Sequence, residues 1–492
     1  MLAYVPSLYS LIFDGNGLTP SLHDNFCVIL MSNRGNFTGR LGFILAATGS
    51  AIGLSNIWRF PYLAGQNGGA VFVIIYLACI FLFCFPVMVG EIAIGRAAGS
   101  DAYGSYTKLG NKRWGLLGLF GVVSGILILS YYNVVAAWAF GYFIEIVFGD
   151  LLGQPDYGAF FTDFVKSPGS NILYSLGFMV ITGLVVARGI QKGIEAANTF
   201  MMPALFLILL GLIIYSFTLP HAMDGIRFYL VPDFSKITAQ TIFDALRLAF
   251  FTLSLGIGGL ITYGSYVKKT EDIVRASSVV TWTDTIVAFL AGLMIFPLVF
   301  SAGQSPAEGP PLVFIVLPQI FHGMGPVVGR IVGGGFFLLL CFAALPSCIS
   351  LLEIPVAYLV DQKKFSRKRV VWVLCAIIFL FGIPSILSQG ASDVLTHLPF
   401  YKHRDFLTFI ADMTDITLTV GGCLMCLFIT YMWGIKNMNA ELSTGNPEFN
   451  GSAMQRYINF TIVYVCPLLL GILSVLIVLD KFWGIGVVFG GH

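Results

Sequence analysis

Charge is what this sequence has least of. Asp, Glu, Lys and Arg make up 11% of its 492 residues, and the formal net charge is only +2. A net charge of that size gives no sign of a nucleic-acid partner, and none is expected. So little charge excludes the solvated surface of a soluble fold of this length. Histidine is scarce too. The six histidines fall in tails and loops, so the apolar runs hold no H-E-x-x-H pair and no Ser–His constellation, which argues against a membrane enzyme. Nine cysteines are scattered, mostly inside apolar runs, with no spacing that makes a disulfide framework. Cys423 and Cys426 form a C-x-x-C, but within an apolar helical run and without a second pair. That reads as a buried helix pair, not a metal or redox site. The first 30 residues lack a basic region followed by an apolar core and a cleavage site, which argues against a signal peptide.

Hydrophobicity takes the place of charge. Apolar residues make up 57% of the chain and the mean hydropathy is +0.86. A bilayer crossing needs about 20 apolar residues. Eleven such segments occur, at 41–62, 70–94, 115–148, 171–188, 196–217, 241–267, 278–302, 329–360, 370–388, 406–434 and 455–480. The chain therefore reads as an all-α polytopic membrane protein. Most of its 27 Lys and Arg side chains fall on one set of alternate connections, with Lys363, Lys364, Arg367, Lys368 and Arg369 the densest cluster. Positive charge stays on the cytoplasmic side, so the N-terminus is expected inside and the C-terminus outside the cell (inner) membrane. Residues 1–33 read as a tail, with Met31 as an alternative start, and 481–492 as a second tail.

Two of these segments carry residues that a simple span avoids. The first contains Gly49-Ser50-Ala51-Ile52-Gly53-Leu54-Ser55-Asn56-Ile57-Trp58-Arg59. The sixth contains Thr252-Leu253-Ser254-Leu255-Gly256-Ile257-Gly258-Gly259. Glycine favours unwinding, and unwound backbone at membrane depth must line an enclosed cavity. Small-residue helix packing explains the glycines, but not Asn56 and Arg59. The breaks lie in the first spans of two five-span halves, 34–217 and 241–434, which leaves 455–480 outside the repeat. Paired breaks of this kind point to a transporter site. Amides at one broken end favour an anion and carbonyls at the other favour a cation, so a carboxylate and a sodium ion fit side by side.

These residues, together with Arg40-Leu41-Gly42-Phe43, Phe60-Pro61-Tyr62, Gln66-Asn67-Gly68-Gly69 and Thr262-Tyr263-Gly264-Ser265-Tyr266, resemble the signature of the neurotransmitter:sodium symporters. The likeness runs in order from Arg34 to about Trp433, and eleven spans with short external loops resemble the bacterial amino-acid transporters of that family. The resemblance implies a five-plus-five inverted repeat with spans one and six broken. It implies one sodium site at Ala51, Asn56, Thr252 and Asp284, and a second at Gly49, Ile52, Ala343 and Ser347. The substrate pocket it implies comprises Ala51, Gly53, Leu54, Ser55, Ile128, Tyr132, Phe251, Thr252, Ser254, Ile257, Ser347 and Leu351, with Tyr132 donating to a substrate carboxylate. An outer gate would pair Arg59 with Asp412, with Asp405 and Asp415 as alternatives. An inner gate would pair Arg34 with Asp361, supported by Tyr266. Glu91 would accept hydrogen bonds from unwound backbone.

Five positions, set against the family pattern, sharpen the expectation. Gly53 stands where the family's monoamine carriers have Asp, so the substrate brings its own carboxylate and is an amino acid. The pocket is apolar and uncharged, which selects a neutral, hydrophobic L-amino acid. Ser55 replaces a customary glycine. Asp284 replaces a neutral Asn, while Ala288 replaces the serine found near chloride, so transport is expected to be chloride-independent. Pro346 replaces a threonine whose hydroxyl belongs to the second sodium site; either the Phe342 carbonyl, freed of its helical donor, turns to the ion in its place, or, as the favoured expectation, the site weakens and leaves one sodium per substrate. The expected function is sodium-coupled symport by alternating access, with a receptor or channel on the same fold as the alternative.

Overall fold

The computed structural model describes residues 36–304, 312–401 and 403–483. The proposed tail 1–33, Met31, Arg34 and the last nine residues lie outside the described residues. The body from Phe37 onward is one unit, and among its described residues every regular element is helical.

Among the described residues, nine helices are long and apolar enough to cross a membrane: Ala70–Ala98, Gly115–Val147, Pro168–Ala187, Ile190–Phe217, Ile273–Ser301, Pro326–Lys363, Arg367–Leu387, Phe406–Trp433 and Ala453–Phe482. A tenth crossing is the bent pair Arg40–Ala51 and Ser55–Gln66, whose halves meet at 53°. The remaining expected span, the sixth, is Ala239–Thr252 followed by Gly259–Gly264. Each sits within a few residues of its expected segment. The spans are numbered here in chain order.

Burial separates centre from periphery. In span eight, Pro326–Lys363, 83% of the most apolar window is buried, against 33% in span eleven, Ala453–Phe482. Spans three and eight form the most extensive helix pair. Leu207, Ile214, Leu380 and Leu468 project outward, each more than half exposed, as lipid-facing side chains do. The connections hold helices that the hydropathy reading did not resolve, including Ala102–Leu109, Tyr157–Lys166, Ala222–Leu230 and Ile435–Gly445. They are short and mixed in character, so a 20-residue hydropathy window passes over them.

The break in span six is built from left-handed backbone. Ser254, Gly256 and Gly258 have φ of 51°, 91° and 77°. A Cβ on Gly256 would lie 2.1 Å from the Leu418 carbonyl oxygen of span ten, and one on Gly421 would lie 2.0 Å from the Gly256 carbonyl oxygen. Only glycine permits this backbone-to-backbone contact. Gly256→Ala is expected to cost at least about 1–3 kcal/mol from backbone strain, with the clash added. Its melting temperature in detergent should fall by several degrees, whereas an Ala at the unobstructed Gly211 should leave it unchanged.

Candidate functional site

The two breaks face each other. Span one leaves its helix at Ile52, which is extended (φ −68°, ψ 115°). The next amides find side-chain partners. Gly53 N–H donates to Asn56 Oδ1 at 3.0 Å, and Leu54 N–H donates to the Tyr132 hydroxyl at 3.0 Å. This settles the accounting that buried, unwound backbone demands. On the other side, Gly256 N–H donates to Glu91 Oε1, the role expected of that carboxylate.

Around Asn56 the side chains converge. Thr252 Oγ1 donates to Asn56 Oδ1 at 3.0 Å, and Ser55 Oγ lies 3.2 Å from Thr252 Oγ1. Asn56 Nδ2 donates to Asp284 Oδ1 at 2.7 Å. Asp284 is fully buried, and its Oδ2 has no hydrogen-bond partner. Asn56, Thr252 and Asp284 are thus within reach of one another, with Ala51 ending the helix beside them. A second group forms where span eight meets span one. Ser347 Oγ donates to the Ile52 carbonyl at 3.2 Å, and a Cβ on Gly49 would lie 2.9 Å from Pro346 Cβ. Ala343 lies one helical turn before Ser347 and is fully buried. Span eight continues as helix through Pro346. Oxygen-rich groups of this composition suit a hard monovalent cation.

Between the two groups lies a cavity. It is lined by Ala51, Gly53, Ser55, Ile128, Tyr132, Phe251, Thr252, Ser254, Ile257, Ser347, Leu351 and Leu418. All but Leu54 of the expected pocket residues appear in this wall; Leu54 adjoins it through the bond to Tyr132. Leu418 of span ten is an addition. It enters through the glycine contact between spans six and ten, which no feature of linear sequence announces.

The outer gate requires a correction. Arg59 Nη2 pairs with Asp415 Oδ2 at 3.3 Å, not with Asp412. Asp412 points the other way, to the Tyr401 hydroxyl at 2.7 Å and to Lys481 at 3.2 Å and Arg404 at 3.5 Å. Asp405 caps span ten, accepting from Thr408 N–H at 2.9 Å. The three acids lie on one helix, and a rotation of about 100° per residue puts 412 and 415 on adjacent but distinct faces. Sequence reasoning also missed Arg247, whose guanidinium lies 3.8 Å from Asp415. Arg59 is further held over the Phe251 ring, 4.7 Å from its centroid. Asp415→Asn is therefore expected to raise the substrate off-rate severalfold by unlatching two arginines, while Asp412→Asn leaves it unchanged. Radioligand dissociation measures both.

At the inner end, Arg34 lies outside the described residues. Asp361 accepts from the Asp101 amide at 3.1 Å. The Tyr266 hydroxyl donates to Glu353 Oε1 at 2.8 Å, and Arg367 forms a bidentate pair with the same carboxylate. Glu353 went unread, and Arg367 was read only as part of the positive cluster, because both lie far apart in sequence from Tyr266.

Residues 34–153 and 161–482 match the Sodium:neurotransmitter symporter family. A sodium-dependent transporter of Bacillus subtilis (strain 168), YhdH, is 40% identical over 415 residues, covering 83% of this chain and 90% of that protein. A sodium-dependent transporter of Haemophilus influenzae is 38% identical over 405 residues, covering 79% and 88%. Among solved structures, MhsT in complex with L-phenylalanine superposes with a TM-score of 0.82 at 42% identity, over 90% of this chain and 99% of that one. The all-α, five-plus-five architecture with broken spans one and six is shared with it. The chain thus belongs to the Sodium:neurotransmitter symporter family, as a multi-pass, sodium-dependent membrane transporter and not an enzyme.

Proposed function

We propose that the protein imports a neutral, hydrophobic L-amino acid together with sodium, by alternating access and without chloride. The observation that carries this reading is the character of the cavity wall. It holds no charged side chain, and Ile128, Phe251, Ile257, Leu351 and Leu418 supply an apolar end. The polar end offers the Tyr132 hydroxyl and the unwound backbone of span one. A substrate carboxylate there would meet Tyr132 and the cation held by Ala51, Asn56, Thr252 and Asp284. A charged substrate side chain at the other end would lose its hydration without gaining a partner. The L-phenylalanine bound by MhsT has the same two ends.

Gly49, Ile52, Ala343 and Ser347 would hold the second cation. Arg59 and Asp415 would close the outer side, with the N-terminus in the cytoplasm, the C-terminus outside and the chain in the cell membrane. The pair is partly buried, Arg59 26% and Asp415 4% exposed, so desolvation offsets much of its attraction and it can open in each cycle.

Reconstitution in proteoliposomes tests the proposal with a panel of the twenty amino acids. Uptake of an aliphatic or aromatic amino acid above the external concentration, driven by inward sodium, is expected. Preference for a basic or acidic one would overturn the substrate assignment. Equilibration without accumulation would make the protein a channel, and binding without movement a receptor.

A further inference from the structure

Asn198 belongs to span five, which contributes none of the residues assigned above. It is fully buried. Its Nδ2 donates to the Ile194 carbonyl one turn earlier at 2.8 Å, which fixes the amide with its oxygen on the opposite side. The reverse orientation would set two oxygens against each other. That Oδ1 has no hydrogen-bond partner. It is aimed at the seam between spans one and eight. A Cβ built on Gly49 would lie only 2.0 Å from Asn198 Oδ1 and 2.9 Å from Pro346 Cβ. The glycine at 49 is therefore the space that the amide oxygen occupies, next to the proline that lacks a hydroxyl.

We propose that Asn198 Oδ1 is a ligand of the second sodium ion and takes the place of the oxygen that Pro346 cannot supply. The inference rests on the symport reading and deepens it. A buried amide oxygen without a donor is costly, and hard cations accept side-chain amide oxygens as ligands. A cation near the Gly49 and Ile52 carbonyls and Ser347 Oγ would satisfy it. The oxygen arrives from span five instead of span eight, but the shell keeps its count. The expectation of a weakened site and a single sodium is revised accordingly. Span five also becomes part of the cation site, so its movement would open or close that site.

The test uses the full-length protein in detergent, with sodium alone as the probe and choline holding ionic strength constant. Stabilisation by a bound ion rises with its concentration, so the slope against log sodium counts the ions released on unfolding. Wild type is expected to show the slope of two ions. Asn198→Ala, a favourable residue in a helix interior, should move half-saturation of one ion up by about tenfold to hundredfold. Over the accessible range the slope then falls to that of one ion. Adding Pro346→Thr to Asn198→Ala should restore it, which no packing role for Asn198 would produce. An unchanged slope in Asn198→Ala overturns the proposal, as does a loss that the added Pro346→Thr fails to rescue. A wild type with the slope of one ion overturns it as well. A wild type whose melting ignores sodium overturns the symport reading itself.

Discussion

Replacing Asp284 by Asn is expected to abolish sodium-coupled uptake in chloride-free medium, where the wild type is unaffected. Asp284 is fully buried on span seven, with one carboxylate oxygen on Asn56 and the other unpaired. An ionised carboxylate oxygen left unpaired at that depth calls for a cation to meet it. Unit charges about 4 Å apart attract by about 4 kcal/mol at an effective dielectric of about 20. That corresponds to about a thousandfold in affinity, and even half of it is tens of fold. Asn keeps the shape and the bond to Asn56 while removing the charge. Ala288, one turn further along span seven, has no hydroxyl with which to help recruit an anion in its stead. The measurement is initial uptake with chloride replaced by gluconate. Wild type should be indifferent, and Asp284→Asn should be inactive in gluconate, with partial recovery in chloride or none. A wild type that fails in gluconate refutes the argument.

Gly53→Asp is expected to lower amino-acid binding by at least about a hundredfold, through space and charge together. A Cβ on Gly53 would lie 2.9 Å from the Tyr132 hydroxyl and 3.1 Å from Ser347 Oγ. The new carboxylate would occupy the polar end of the cavity and confront that of the substrate. Two carboxylates in one buried site repel strongly. An amine that lacks a carboxylate escapes this penalty, so the variant should retain more affinity for phenethylamine than for phenylalanine. Gly53→Ala separates the two effects, since it adds bulk without charge. Undiminished amino-acid affinity in Gly53→Asp would show that the substrate carboxylate lies elsewhere.

The spans and both breaks were legible in the sequence because their signals are local. Twenty apolar residues, or glycine and hydroxyl clusters at mid-membrane, need no knowledge of neighbours. The cavity wall was legible through resemblance, and the side chains meet much as the motif implies. Three features resisted for one physical reason. Asp415 rather than Asp412, Leu418, and Asn198 are each decided by helix rotation or by contact between distant spans. A single residue of error in register turns a side chain by about 100°, onto another face. Nothing in the linear sequence marks Asn198, and its orphaned oxygen at the Gly49–Pro346 seam is seen only in three dimensions. The departures at Asp284 and Pro346 were visible in the sequence. What makes up for the oxygen missing at Pro346 was not, because compensation is a relation between elements.

The glycine contact between Gly256 and Gly421 has a mechanical meaning. Because the two backbones touch with no side chain between them, the break in span six and the middle of span ten form a rigid joint. Asp415 sits on the same helix six residues before Gly421, about 9 Å along its axis. Span ten therefore carries on one helix the joint at Gly421, the cavity-lining Leu418 and the partner of Arg59. A side chain filling the cavity would press on Leu418, which lies between the glycine joint and Asp415. Occupancy of the cavity would then be felt at the mouth through one helix, with no separate messenger needed.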